Sequence, residues 1–228
     1  MSNTRTKPEL ISYRQLRFII GLTGFFLPVI IILGNCIVKG RFLLEESVSH
    51  YYHTAMGDVF VGLLCTVAIF LFTYKGHEKE EDEILSDSVT GNLACIFALG
   101  VAFFPTAETG AVQSTISWIH YICAGLFFCS LAYFCLSQFI KSSEDETKLE
   151  HDPKNRKLLR NLIYRICGYI ILFAILMLLL YNAPAINDLV KETHYFIAFE
   201  ILALWAFAFS WLVKAEVFFP DSDTENLA

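Results

Sequence analysis

The sequence predicts an all-α protein, a bundle of six helices that crosses a membrane with both termini in the cytoplasm. Three observations predict it. Of 228 residues, 55% are apolar and the mean hydropathy is +0.52. Uncharged runs suited to a bilayer recur along the chain, and Lys and Arg gather in alternate connections. Six spans and their short links use the whole length, so one transmembrane domain over residues 1 to 228 is expected.

The first span, about 17 to 38, is apolar beyond the length of a signal core and lacks a small-residue cleavage site, so it reads as a retained helix. It contains Pro28, which lipid tolerates where neighbours satisfy the freed carbonyl. The second, about 51 to 75, is fully apolar only after Asp58, which places its start upstream among Tyr51 to Gly57 and draws Asp58 below the interface. The third, about 89 to 106, is short and ends at Pro105. The remaining three, about 115 to 139, 161 to 182 and 194 to 216, are long enough to span.

Orientation follows from the cations. With the N-terminus inside, fourteen lie on the cytoplasmic side: Arg5, Lys7, Arg14, Arg17, Lys75, Lys79, Lys141, Lys148, Lys154, Arg156, Lys157, Arg160, Arg165 and Lys214. Only Lys39, Arg41 and Lys191 lie outside. The acidic run Glu78 to Glu83 does not oppose this, because carboxylates contribute little to the rule.

Composition and spacing exclude several chemistries. The seven cysteines fall almost entirely in spans without a C-x-x-C pair, which argues for packing and against a redox relay or thiolate metal cluster. The net charge of −6 comes from tails and cytoplasmic loops and points to no nucleic-acid partner. Loop 141 to 160 mixes both charge signs as a solvated linker does. At its basic end Arg160 and Arg165 can snorkel to lipid headgroups, with topological anchoring the plainer role. Membrane lipids are thus the expected partners, and self-association into a homo-oligomer is compatible with the sequence.

The second, fourth and sixth spans each enter from the outer side at a His-Tyr pair: His50-Tyr51, His120-Tyr121 and His194-Tyr195. Chance supplies roughly 0.3 such dipeptides in a chain of this composition, so the three hint at a repeated two-helix unit. Imidazoles from three helices at one depth are a plausible zinc shell, with His53, His120 and His194 as ligands and His50 as the alternate. Bound water would ionise there near neutral pH. Asp58 or Glu200 would handle protons, and Ser49, four residues from His53, would support the water. The competing expectation is structural: histidines hydrogen-bonding at the interface beside Tyr and Trp118. Haem, which needs facing histidine pairs at matched spacing, is not indicated.

Four stretches carry a resemblance: Ser49-His50-Tyr51-Tyr52-His53-x4-Asp58-x-Phe60-Val61-Gly62, Ala102-x2-Pro105-Thr106, Arg160-Asn161-x-Ile163-Tyr164-Arg165-x-Cys167-Gly168, and Glu200-x4-Trp205-Ala206-Phe207-x2-Ser210-Trp211-Leu212-x-Lys214. Together they resemble a family of small bacterial six-helix membrane proteins, which implies an envelope location, the bacterial inner membrane, and no particular activity. Ser49-x3-His53 is also similar to an element of the CREST superfamily, which includes alkaline ceramidases and progestin-and-adipoQ-type receptors. That likeness implies a zinc-dependent hydrolase acting on a lipid or other amphiphile. The His-x3-His pair of that superfamily's last helix is absent here, His194 stands alone, and six helices replace seven. The alternatives are a small transporter or channel using Asp58 and Glu200 in an ion or proton pathway, and a non-catalytic assembly protein.

Overall fold

A computed structural model of the chain describes residues 13–76, 84–140, 153–181, 183–190 and 193–218. The acidic run Glu78 to Glu83, both extreme termini, Lys191 and most of the mixed-charge loop, residues 141–152, lie outside the described residues.

The described chain is helical. In order, the helices are α1 (Tyr13–Lys39), a short 3-10 turn (Ser49–His53), α2 (Gly57–Thr73), α3 (Asp87–Phe103), α4 (Thr115–Tyr133), α5 (Pro153–Leu180), α6 (Pro184–Val190) and α7 (Tyr195–Lys214). A π turn, Phe134–Gln138, prolongs α4, closed by the Phe139 amide donating to the Phe134 carbonyl at 2.9 Å. Helices α1, α4 with its π turn, α5 and α7 are long and apolar enough to cross a membrane. Helices α2 and α3 have 17 residues each. At 1.5 Å per residue that is roughly 25 Å, a little less than a hydrocarbon core of about 30 Å.

Local chemistry sets the helix ends. Ser86 Oγ accepts the Val89 amide at 3.2 Å and Ser114 Oγ accepts the Ser117 amide at 3.2 Å, capping α3 and α4. Helix α1 stops where Gly40 takes φ +64, a left-handed conformation that costs glycine little. The start of α2 differs from expectation. Thr54 Oγ1 donates to the Tyr51 carbonyl at 2.8 Å and accepts the Met56 amide at 3.1 Å, which holds the chain in a turn, and the helix begins only at Gly57. Asp58 therefore sits in the first turn of α2, exposed, and is not drawn inward by an earlier helix start.

Each long helix packs against its neighbour in sequence, and α7 packs against α1, so α1, α2, α3, α4, α5 and α7 close into a ring. The buried positions of α1, Leu16, Ile20, Gly24, Leu27, Ile31 and Asn35, recur every three or four residues and form the stripe that meets its neighbours. Gly24 lies against Phe207, and Trp205 Nε1 donates to the Phe25 carbonyl at 3.2 Å, which fixes an antiparallel register between α1 and α7.

The two ends of the ring differ. At one end, Tyr74, Phe134, Phe139 and Trp211 pack edge to face with centroids 5.0 to 5.8 Å apart. Arg17 lies over Tyr74, Tyr74 Oη donates to Asp87 Oδ2 at 3.3 Å, and Lys214 Nζ donates to the Phe139 carbonyl at 3.3 Å. At the other end α1, α3 and α5 finish and α2, α4 and α7 begin. Glu200 lies there, and that end holds the candidate site.

Candidate functional site

Glu200 is on the second turn of α7 and is only 8% exposed. Its Oε2 accepts the backbone amide of Val48 at 2.5 Å. Val48 immediately precedes the 3-10 turn, so its amide is one of the donors that a helical turn leaves without an internal partner. A buried carboxylate is thus satisfied by the start of a turn 152 residues earlier in the chain.

The segment before that turn is anchored twice more. Asn35, fully buried near the end of α1, donates from Nδ2 to Glu45 Oε1 at 3.2 Å. The Glu45 amide in turn donates to the hydroxyl of buried Tyr51 at 3.4 Å. A carboxylate accepts only, so its bond fixes which end of the Asn35 amide is nitrogen, and Oδ1 points elsewhere. That Oδ1 is buried and has no hydrogen-bond partner among the described residues.

The histidines belong to a neighbouring layer. His50 Nδ1 is 2.7 Å from Ser47 Oγ, which also accepts the His50 amide at 3.0 Å, so ring and backbone are clamped by one hydroxyl. Burial holds the His50 imidazole below its ordinary value, opposed by the nearby carboxylate of Glu46. His53 Nε2 is 2.9 Å from the Thr106 carbonyl, with Nδ1 4.0 Å from Glu108 Oε1. His120, buried on α4, has Nδ1 2.6 Å from the Phe104 carbonyl. Both rings thus pin residues 104 to 106, the chain leaving α3, and His120 lies within electrostatic range of His50 and His53.

Of the expected zinc ligands, His53 and His120 meet at that loop. His194 does not join them: it caps the start of α7 and is exposed. The carbonyls that His53 and His120 hold belong to the chain leaving α3, which packs against α2 and α4, whereas α7 packs chiefly against α1 and α5. Among the described residues no group of three or more His, Cys, Asp or Glu side chains is placed to hold a metal ion. Ser49 is buried beside the Val48 amide, and Asp58 is exposed. On α5, Arg160 is half-buried and Arg165 exposed. All seven cysteines are free thiols, Cys129 exposed and the rest buried or half-buried.

Asn35, Glu45 and the Val48 amide were not anticipated from sequence. Asn35 is the one amide in the apolar run from Phe18 to Val38, and that isolation is the sequence signal that marks it. No protein-family model, curated protein or solved structure matches this chain.

Proposed function

We propose that this chain is a six-span protein of the plasma membrane, the inner membrane of a bacterium, in which Glu200 is the ion- or proton-binding carboxylate of a small transporter or channel. The observation that supports it is the burial of Glu200 in a membrane-length helix with the Val48 amide as its recorded hydrogen-bond partner. An ionisable group so placed is expensive unless a proton, a cation or a fixed dipole balances it. The cation distribution in the sequence puts the Glu200 end outside. Asp58, exposed on α2, has no place in this reading. Membrane lipid surrounds the ring, against exposed side chains such as Leu162, Tyr169, Phe173 and Leu176 of α5, with Arg160 and Arg165 toward the headgroups.

The test is flux. Purified protein in liposomes carrying an internal pH- or sodium-sensitive dye should dissipate an imposed cation gradient, and Glu200→Gln should abolish that movement while preserving the fold.

One observation favours a second reading, a zinc-assisted hydrolase of a lipid or amphiphile. His53 and His120 each hold a backbone carbonyl with one ring nitrogen, as metal-ligating imidazoles commonly do. Two such rings fall short of the three protein ligands that catalytic zinc ordinarily takes. Metal analysis of protein purified without chelator tests this: a stoichiometric zinc lost in His53→Ala and His120→Ala supports it, and metal-free protein sinks it.

A further inference from the structure

The chain that reaches Glu200 is a stretch that no backbone ladder holds. After Gly40 closes α1 with φ +64, residues 42–45 carry no regular structure, and the next element is the 3-10 turn Ser49–His53. Among the described residues, 41–46 take part in no backbone–backbone hydrogen bond.

Side chains hold the stretch instead. Cys36 Sγ lies 3.8 Å from the Leu43 carbonyl oxygen, and Leu44 packs partly against the core. Glu45 is held twice, its Oε1 by Asn35 Nδ2 at 3.2 Å and its amide by the Tyr51 hydroxyl at 3.4 Å. Asn35 and Tyr51 are fully buried, whereas Glu45 is half-buried and Glu46 beyond it is exposed. The anchors thus belong to the bundle and the held residue to its rim.

Three residues past Glu45 comes the Val48 amide, the donor to Glu200, and Ser47 and Val48 are buried with that carboxylate. On the far side of Val48 the turn is fixed by backbone bonds, the Tyr51 amide to the Val48 carbonyl at 3.3 Å and the Thr54 amide to the Tyr51 carbonyl at 3.1 Å. Release of Glu45 therefore frees the near side alone. A segment held by a few side-chain bonds opens locally more readily than the whole fold.

We propose that residues 41–48 are a strap that gates Glu200, latched at Glu45 by Asn35 and Tyr51. This rests on the reading of Glu200 as the working carboxylate and names what controls access to it. With the strap seated, the Val48 amide dipole balances the carboxylate. With the strap lifted, the carboxylate meets the aqueous end of the ring and takes a proton or cation in its place. Asn35 and Tyr51 are positioning residues that act on Glu200 through Glu45 and Val48.

Access to Glu200 is read with a water-soluble carbodiimide and a glycine ester, applied to the full chain in detergent, with the modified carboxylates located by mass spectrometry. Glu108, whose side chain is 78% exposed, is the internal reference. In wild type Glu200 should react far more slowly than Glu108. Asn35→Leu removes the donor to the Glu45 side chain, and Tyr51→Phe removes only a hydroxyl from a ring that stays buried. Loss of one hydrogen bond should raise the open population, and with it the Glu200 labelling rate, by a few-fold to roughly tenfold in each variant, with Glu108 unchanged. Equal Glu200 rates in the three proteins overturn the strap, as does a wild-type Glu200 that labels as fast as Glu108, or a rise shared by both carboxylates. If the variants label faster while Glu200→Gln leaves flux unchanged, the strap stands and the carboxylate reading falls. If Glu200→Gln abolishes flux and Glu200 labels equally in wild type and both strap variants, the strap falls and the carboxylate reading stands.

Discussion

The carboxylate of Glu200 and the amide of Val48 meet at 2.5 Å across 152 residues of chain, and that bond ties the first extramembrane loop to the last helix. Substitutions at Glu200 should separate structure from function. Gln retains a carbonyl acceptor for the Val48 amide, so its unfolding free energy should fall by about 1 kcal/mol or less. Ala leaves a buried donor bare and should cost about 1 to 3 kcal/mol. Denaturant unfolding of the three proteins in one detergent measures the difference.

The His50 contribution to stability should fall on mild acidification. Burial holds the His50 imidazole below 6.5, its ordinary value, so the unfolded chain takes up its proton first as pH drops. The unfolded state then binds more protons, and stability present above pH 6.5 is lost as pH falls through the folded-state value. Over that range the Tm of wild type should drop relative to that of His50→Gln. In His50→Gln, which keeps polar atoms beside Ser47, the His50 share of the decline should vanish.

Close approach of α2 and α3 depends on Gly91. A methyl group there would lie 2.6 Å from the Leu71 carbonyl oxygen, a backbone atom that cannot swing aside. Gly91→Ala should therefore destabilise by about 1 to 3 kcal/mol despite alanine's better helix propensity. A lower Tm in the variant confirms it, and an unchanged or higher one refutes the packing.

The proposed six-span arrangement makes a sidedness prediction. Val112, 92% exposed, lies in the connection between α3 and α4 at the Glu200 end, and Ile84, 81% exposed, precedes α3 at the opposite end. With the seven native thiols replaced, Val112→Cys should react with an impermeant maleimide added outside cells. Ile84→Cys should react only after permeabilisation.

Much of the architecture is legible in the chain because lipid imposes length and apolarity on each span. The runs from Phe18, Thr115, Asn161 and Tyr195 name their helices directly. The start of α2 was not legible, since the aromatic stretch Tyr51-Tyr52 continues the apolar pattern while Thr54 hydrogen-bonds the backbone into a turn. Glu200 stands out as a carboxylate at the edge of an apolar run, and the His-Tyr pairs lie at the same end of the bundle as Glu200. Which polar groups meet was hidden, because the Val48 contact and the alternation of α2, α4 and α7 are products of ring closure. Asn35 was quiet for the same reason. An amide carries no formal charge, and its bare oxygen emerges only once Glu45 has taken the nitrogen.

The most direct measurement is cation movement into liposomes by wild type and Glu200→Gln at matched protein density, with folding verified by matching elution profiles and cooperative melting of both proteins. Gradient-driven flux in wild type that disappears in Glu200→Gln is the predicted result. Equal flux in the two proteins, or none in either, would contradict the assignment of Glu200 as the working carboxylate.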